Sequence, residues 1–328
     1  RTTGVSAPMR AAICPEYGPP EVVLVEERPG PVVGPGQVGI RVQAAAVNFP
    51  DVLLVADRYQ VSVPAPFVPG SEFAGFVDEL GSGTTGFAIG DRVTGTGMFG
   101  AFAERVAADP SGLARIPDGV DTRTAAAFGV AHRTAYHTLR SRARLTEGDE
   151  LVVLGAGGGV GLATVQLGVA LGAHVTAVAS SAEKLCVAAD YGAERLINYA
   201  DGDLRAALRG ALPDGADVVV DPVGGELAEP ALRSLSRGGR FVTVGYASGV
   251  IPRIPLNLVL VKGIHILGFQ FQDVAPDEFE RNERELRDLL VSGRVSPHIG
   301  AVYPLAQTAA ALRHVADGRA VGKILIEI

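Results

Sequence analysis

At 328 residues, with 47% hydrophobic and 20% charged side chains, the chain has the make-up of a globular protein too long for one core, so two domains are expected. A formal net charge of −7 argues against a nucleic-acid partner, and no apolar run is long enough to cross a bilayer. Only two cysteines are present, Cys14 and Cys186, without a CxxC pair, which argues against a disulfide framework or a thiolate metal site and points to a cytoplasmic protein. Residues 1–8 lack a signal-peptide core, and the fold is expected to begin near Met9.

In chain order, residues 9–25 read as a strand, a turn at Tyr17-Gly18-Pro19-Pro20 and a second alternating strand. Residues 29–36 are a proline- and glycine-rich loop. Residues 37–47 alternate through Val38, Ile40 and Val42, and 48–59 read as a short helix carrying Val52, Leu53 and Val55. A proline-rich stretch over 61–69 runs into Gly70-Ser71-Glu72. Further strands are expected over 73–81, from Gly90-Asp91-Arg92-Val93 onward, and over 101–106. Short strands with close turn signals predict a β-rich, barrel-like first domain.

From about residue 121 the texture changes. Residues 124–140 are Ala-rich and helical in spacing. Strands at 151–154, 174–179, 195–198, 217–220, 240–244 and 265–269 then alternate with helices over 161–171, 184–191 and 225–235. That alternation means a parallel, doubly wound sheet. A charged amphipathic helix follows over 279–290, and strands at 295–299 and 323–328 are expected to return to the first domain.

The most informative stretch reads LVVLGAGGGVGLATV, residues 151–165: a buried strand, a glycine turn and the first turn of a helix. Ala156, Gly158 and Gly161 match the dinucleotide fingerprint, with Ala where the first Gly often stands. In that fingerprint the first position permits the turn, the second lets backbone approach a pyrophosphate, and the third lets helix pack on strand. Together with Gly159 and Val160 they offer the N–H groups and dipole of a helix N-terminus to that pyrophosphate.

With NFPDVLL, PGSEFAG, GDRV, TAYHTL, GAGGGVGLATVQL, VVVDPVGG, VTVGYASG and GKILIEI in view, the chain resembles the medium-chain dehydrogenase/reductase superfamily over essentially its whole length. Within it, the chain is most similar to the zinc-free NADPH:quinone oxidoreductase family. The resemblance implies an α/β fold, a Rossmann doubly wound parallel sheet plus a GroES-like β-barrel domain, in a homodimer paired through Rossmann edge strands. The expected division is 1–125 for the first segment of the GroES-like catalytic domain, 126–267 for the Rossmann NADPH-binding domain, and 268–328 for the return to the catalytic domain. Zinc-dependent relatives place a ligand Cys where this chain has Asn48, and Gly-His-Glu where it has Gly70-Ser71-Glu72. Catalytic zinc needs about three protein ligands of Cys, His or carboxylate type, so no metal is expected.

The strand over 174–179 ends in Ala179-Ser180-Ser181-Ala182-Glu183-Lys184, without the acid that binds an NAD ribose. Ser180 and Ser181 can donate to a 2′-phosphate and Lys184 can supply charge, which favours NADPH; the alternative is Ser180 as an N-cap and Lys184 as a solvated helix residue. The resemblance adds Tyr199 around that phosphate. It also implies cofactor contacts from Thr134, Gly245, Tyr246, Ala247, Phe269, Phe271 and Lys323, whereas Asp221 reads as a turn-former.

Hydride transfer depends chiefly on positioning, in keeping with the lack of a nucleophilic triad or paired-carboxylate motif. Asn48 is the candidate for orienting the nicotinamide or an acceptor carbonyl, against a plain helix-capping role. Tyr59 matches a tyrosine that related enoyl-thioester reductases place to protonate their substrate, against a plain packing role. The expected activity is hydride transfer from NADPH to a small quinone-type acceptor. The alternatives are reduction of an activated double bond (an enoyl thioester or enone) and a non-catalytic NADPH-binding protein.

Overall fold

A computed structural model describes residues 7–328. The first part of the chain forms β1 (Pro8–Ile13), β2 (Leu24–Pro29), β3 (Val38–Val47), α1 (Phe49–Val55), β4 (Glu72–Leu80), β5 (Arg92–Thr96), β6 (Arg105–Ala108), β7 (Leu113–Arg115) and α2 (Thr122–His137). It continues through β8 (Glu150–Leu154), α3 (Gly159–Ala170), β9 (His174–Ala179), α4 (Ala182–Asp190), β10 (Arg195–Asn198), α5 (Leu204–Ala211), β11 (Ala216–Asp221), α6 (Ala228–Arg233) and β12 (Leu235–Thr243). The remainder is α7 (Asn257–Lys262), β13 (His265–Gly268), α8 (Pro276–Val291), β14 (Ile299–Pro304), α9 (Thr308–Ala316) and β15 (Lys323–Glu327). The second strand expected within 9–25 is displaced: Pro20 opens a 3-10 turn, Pro20–Val22, and β2 starts only at Leu24. Proline fixes φ and withholds an N–H, so the ladder to β1 begins beyond it. The strand expected over 295–299 likewise starts later, at Ile299, past Pro297.

The chain divides into two compact units, residues 1–130 with Ile299–Ile328, and Ala131–His298. The division after His298 falls later than the expected 267/268. The reason lies in β13, which pairs with β12, and α8, whose Glu283 and Glu285 are tied to Arg133, Tyr136 and His137 of α2 and to Arg140 just beyond it.

Unit 1 carries a seven-stranded sheet in the order β14-β15-β3-β4-β5-β7, with β6 also on β3, and a β1-β2 ladder. Its core includes Ile40, Val42, Val47, Phe73, Val77, Phe102 and Ile326. Each fully buried side chain of this kind stabilises by about 1.5–3 kcal/mol. Register is what positions the site. β15 sets Ile324 opposite Val47, and β4 sets Glu72 opposite Ala46. Lys323, Asn48, Ser71 and Glu72 are therefore delivered to one end of three adjacent strands.

Unit 2 is a six-stranded sheet in the order β10-β9-β8-β11-β12-β13, every pair parallel. Leu151 to Leu154 have no exposed surface, as a strand covered on both faces requires. Strand order reverses between β8 and β11, and ligands of such sheets bind outside the carboxyl ends at that point. No helix among the described residues is long and apolar enough to cross a membrane.

Candidate functional sites in the two units

In unit 2 the chain leaves β8 through Gly155, whose φ of +60° carries the tight turn that the fingerprint reading assigned to Ala156. Ala156 is instead buried, its N–H bonded to the Val178 carbonyl of β9 at 3.0 Å. Gly161 packs as the fingerprint requires, since a β-carbon there would stand 1.9 Å from the Gly155 carbonyl oxygen. Gly158 is the N-cap of α3, and a β-carbon on it would meet nothing closer than 3.6 Å. The backbone surface at Gly158 is thus open, and Gly159, Val160 and Gly161 present first-turn N–H groups that have no helical acceptor.

At the end of β9 three candidates come together. Ser181 caps α4, accepting from the Lys184 N–H at 3.3 Å, so the cap is Ser181 rather than Ser180. Lys184 Nζ donates to Ser180 Oγ at 3.2 Å, and its stem lies against Gly157 of the glycine turn. Burial holds this ammonium below the usual lysine range. Because Asn198 pairs with Ala179, Tyr199 follows at the same sheet edge.

The loops after β11 and β12 close beside the turn. Asp221 is buried, and Oδ1 accepts from the N–H groups of Val223 and Gly224, both at 2.8 Å, so it shapes the loop. The Ala247 N–H bonds the Pro222 carbonyl at 3.1 Å, which fixes Gly245, Tyr246 and Ala247 to that loop. Phe271 lies 5.0 Å from Phe269 and 5.6 Å from His137, with the Arg133 guanidinium over its ring at 5.1 Å. Both phenylalanines are thereby gathered near the stretch of α2 that carries Thr134.

Unit 1 holds a second cluster, and it is almost sealed from water. Lys323 Nζ donates to Asn48 Oδ1 at 2.5 Å and to Glu72 Oε1 at 2.9 Å. Asn48 Nδ2 donates to Glu72 Oε1 at 3.0 Å and to Ser71 Oγ at 3.2 Å. Glu72 Oε2 accepts from the Val130 N–H at 2.7 Å. Asn48 is also the N-cap of α1, in a capping box with Asp51, whose Oδ2 accepts the Asn48 N–H at 2.7 Å. Asp51 is wholly buried and its Oδ1 has no partner. Burial pushes its acid up to about 7, against the Asn48 N–H, the Lys323 charge and the Ser71 hydroxyl.

Lys323, expected among the cofactor contacts, is thus placed with Asn48 in unit 1 rather than in the unit that carries the glycine turn. Tyr59 packs half-buried on the unit 1 core and is not drawn into the cluster. Asp51, Ser71 and Glu72 did not figure among the expected site residues. The one local signal is an acid three residues after Asn48, the spacing at which a first-turn side chain can return to an N-cap N–H.

A Rossmann sheet with a glycine turn at its switch point, in a chain whose other unit is a GroES-like β domain, defines the medium-chain dehydrogenase/reductase class. Residues 34–118 match the family described as alcohol dehydrogenase GroES-like domain, and residues 159–288 match the zinc-binding dehydrogenase family. Quinone oxidoreductase-like protein 2 of Bos taurus is 37% identical over 324 residues, covering 97% of this chain and 92% of the relative. Quinone oxidoreductase of Mus musculus is 32% identical, covering 97% of each. The solved structure of Escherichia coli quinone oxidoreductase complexed with NADPH superposes with a TM-score of 0.89 at 26% identity, over 98% of this chain and 99% of its own. The chain belongs to the quinone oxidoreductase family of these oxidoreductases.

Proposed function

We propose that the protein reduces a quinone-type acceptor with NADPH and without zinc. The observation that carries this reading is the Lys323 ammonium seated between Asn48 Oδ1 and Glu72 Oε1. The residues do not fit a catalytic zinc. Asn48 and Ser71 replace the Cys and His ligands, and a metal ion would have to enter beside a buried cation that already uses the remaining carboxylate. Alcohol dehydrogenation leans on a metal to polarise oxygen, whereas a quinone accepts hydride readily without one.

The glycine turn fits a dinucleotide. Gly158 leaves backbone open, the α3 N-terminus faces a pyrophosphate with unpaired N–H groups, and Ser180, Ser181, Lys184 and Tyr199 form a corner for a 2′-phosphate. NADPH, when bound, supplies the hydride. A family relative named as a quinone oxidoreductase in complex with NADPH supports both choices. Thr134, Gly245, Tyr246, Ala247, Phe269 and Phe271 are proposed to border the nicotinamide. Asn48, with its amide fixed by Lys323 and Glu72, orients the groups around the acceptor; Tyr59 stands as the second candidate there.

The protein is further proposed to work as a cytoplasmic homodimer joined through β13. That strand is an edge of its sheet, beside the exposed Leu256, Leu260, Val261 and Ile266. NADPH oxidation measured with a quinone panel and with crotonyl thioesters tests the activity. Turnover of quinones is expected, and turnover of the thioester alone would favour double-bond reduction.

A further inference from the structure

We propose that Glu283 is a positioning residue for the cofactor: by gripping Arg133 and His137 of α2, it sets Phe271 and Thr134 in advance as a wall for the nicotinamide ring. The inference rests on the reading above that Phe271 and Thr134 border the nicotinamide, and it concerns residues of unit 2 alone.

The grip is built from α8. Arg133 Nε donates to Glu283 Oε1 at 3.0 Å and to Oε2 at 3.1 Å, and His137 Nε2 lies 2.7 Å from Oε1. The neighbouring Asn282 settles the role of the histidine. Its Oδ1 accepts from Arg281, so its amide nitrogen is the atom that faces α2. That nitrogen donates to His137 Nδ1 at 3.1 Å and to Ser141 Oγ at 2.9 Å. His137 Nδ1 is therefore an acceptor, and Nε2 carries the proton donated to Glu283. Burial works against the Glu283 charge, yet the His137 bond and the Arg133 pair outweigh it and hold the acid below the usual carboxylate range.

Around this grip, burial is graded from inside to outside. His137 and Asn282 have no exposed surface, whereas Phe269, Phe271 and Thr134 are only partly buried. The Arg133 guanidinium covers the Phe271 ring at 5.1 Å and lies 5.7 Å from that of Phe279. His137 stacks on Phe279 at 4.7 Å and meets Phe271 edge-on at 5.6 Å. A carboxylate that binds the guanidinium fixes its plane, and the guanidinium fixes the ring beneath it. Thr134 stands between Arg133 and His137 in the helix, so Glu283 pins α2 on both sides of it. The Thr134 hydroxyl makes no hydrogen bond to the described residues. A held aromatic ring and an unpaired hydroxyl suit a planar ring that bears a carboxamide, one by stacking and one by hydrogen bonding. Set beforehand, they bind it at a smaller ordering cost.

Calorimetric titration of the full chain with NADPH, and with 2′-phospho-ADP-ribose as the same ligand without its nicotinamide, tests this without any acceptor. Glu283→Ala, Arg133→Met and Phe271→Leu should each weaken NADPH about tenfold and leave the nicotinamide-free ligand within about twofold. Glu283→Ala combined with Phe271→Leu should weaken NADPH no further than either alone, because both act through one ring. Arg133 is partly exposed, so Arg133→Met carries the test should Glu283→Ala not fold. Equal losses for both ligands in the Glu283 and Arg133 variants reduce the grip to packing and overturn the inference. Unchanged NADPH affinity in those variants, or losses that add in the double variant, overturn it as well. A Phe271→Leu protein that holds NADPH as tightly as the wild type contradicts the placing of Phe271 at the nicotinamide, and the inference falls with it.

Discussion

Lys184 illustrates how one side chain can join two elements at a proposed ligand site. Its stem covers Gly157 in the glycine turn, while its ammonium reaches Ser180 at the end of β9. Removing that charge should touch only a ligand that carries a 2′-phosphate. Lys184→Ala is expected to raise the KM for NADPH at least tenfold and to leave that for NADH within about twofold, an effect of about 1.4 kcal/mol. Steady-state kinetics with both cofactors checks this, and equal effects would remove the assignment. Asp51 makes a separate prediction about stability. Folded, it keeps its proton up to about pH 7, whereas the unfolded chain releases it near about pH 4. Between those values the folded state binds more protons, so this residue's contribution to stability falls as pH rises and levels off above the upper value. Denaturant unfolding at several pH values should show that decline in the wild type and a flatter profile in Asp51→Asn.

Among the elements, the β8–α3 turn is where backbone packing is tightest around the proposed cofactor site. Gly161→Ala would press a methyl group onto the Gly155 carbonyl, shifting α3 and the N–H groups at its start. A loss of about 1–3 kcal/mol in unfolding free energy and a weaker NADPH Kd are expected together, measurable by chemical denaturation and fluorescence titration. This turn was legible in the sequence because a short apolar strand, glycines and a helical pattern follow one another within fifteen residues. The inner strands β8, β9 and β11 of the parallel sheet were legible for the same reason, since buried runs rich in valine stand out between helices. Helices α5, α7 and α9 were not anticipated: α5 and α7 are short, and α9 is rich in alanine, which marks no face. The cluster around Asn48 was visible only in part. Asn48 and Ser71 could be picked out as replacements for metal ligands, with Glu72 retained beside them. The Lys323–Glu72 pair, 251 residues apart, follows from strand register that no local pattern encodes.

At the scale of the whole molecule, α7 and the edge strand β13 that follows it expose apolar side chains, with Leu260 at 83% and Leu256, at the start of α7, at 75% exposure. Leu260→Asp is expected to convert a dimer into a monomer in sedimentation equilibrium, and a wild-type monomer would contradict the proposed pairing through β13. The central claim is that a buried ammonium stands in the place of a metal and that the protein, as proposed, reduces a quinone with NADPH and without zinc. The most direct measurement is NADPH oxidation with a quinone by protein treated with a strong chelator and verified metal-free by mass spectrometry. Full turnover, unchanged by added zinc, is predicted; turnover that vanishes on chelation and returns with zinc would contradict the account.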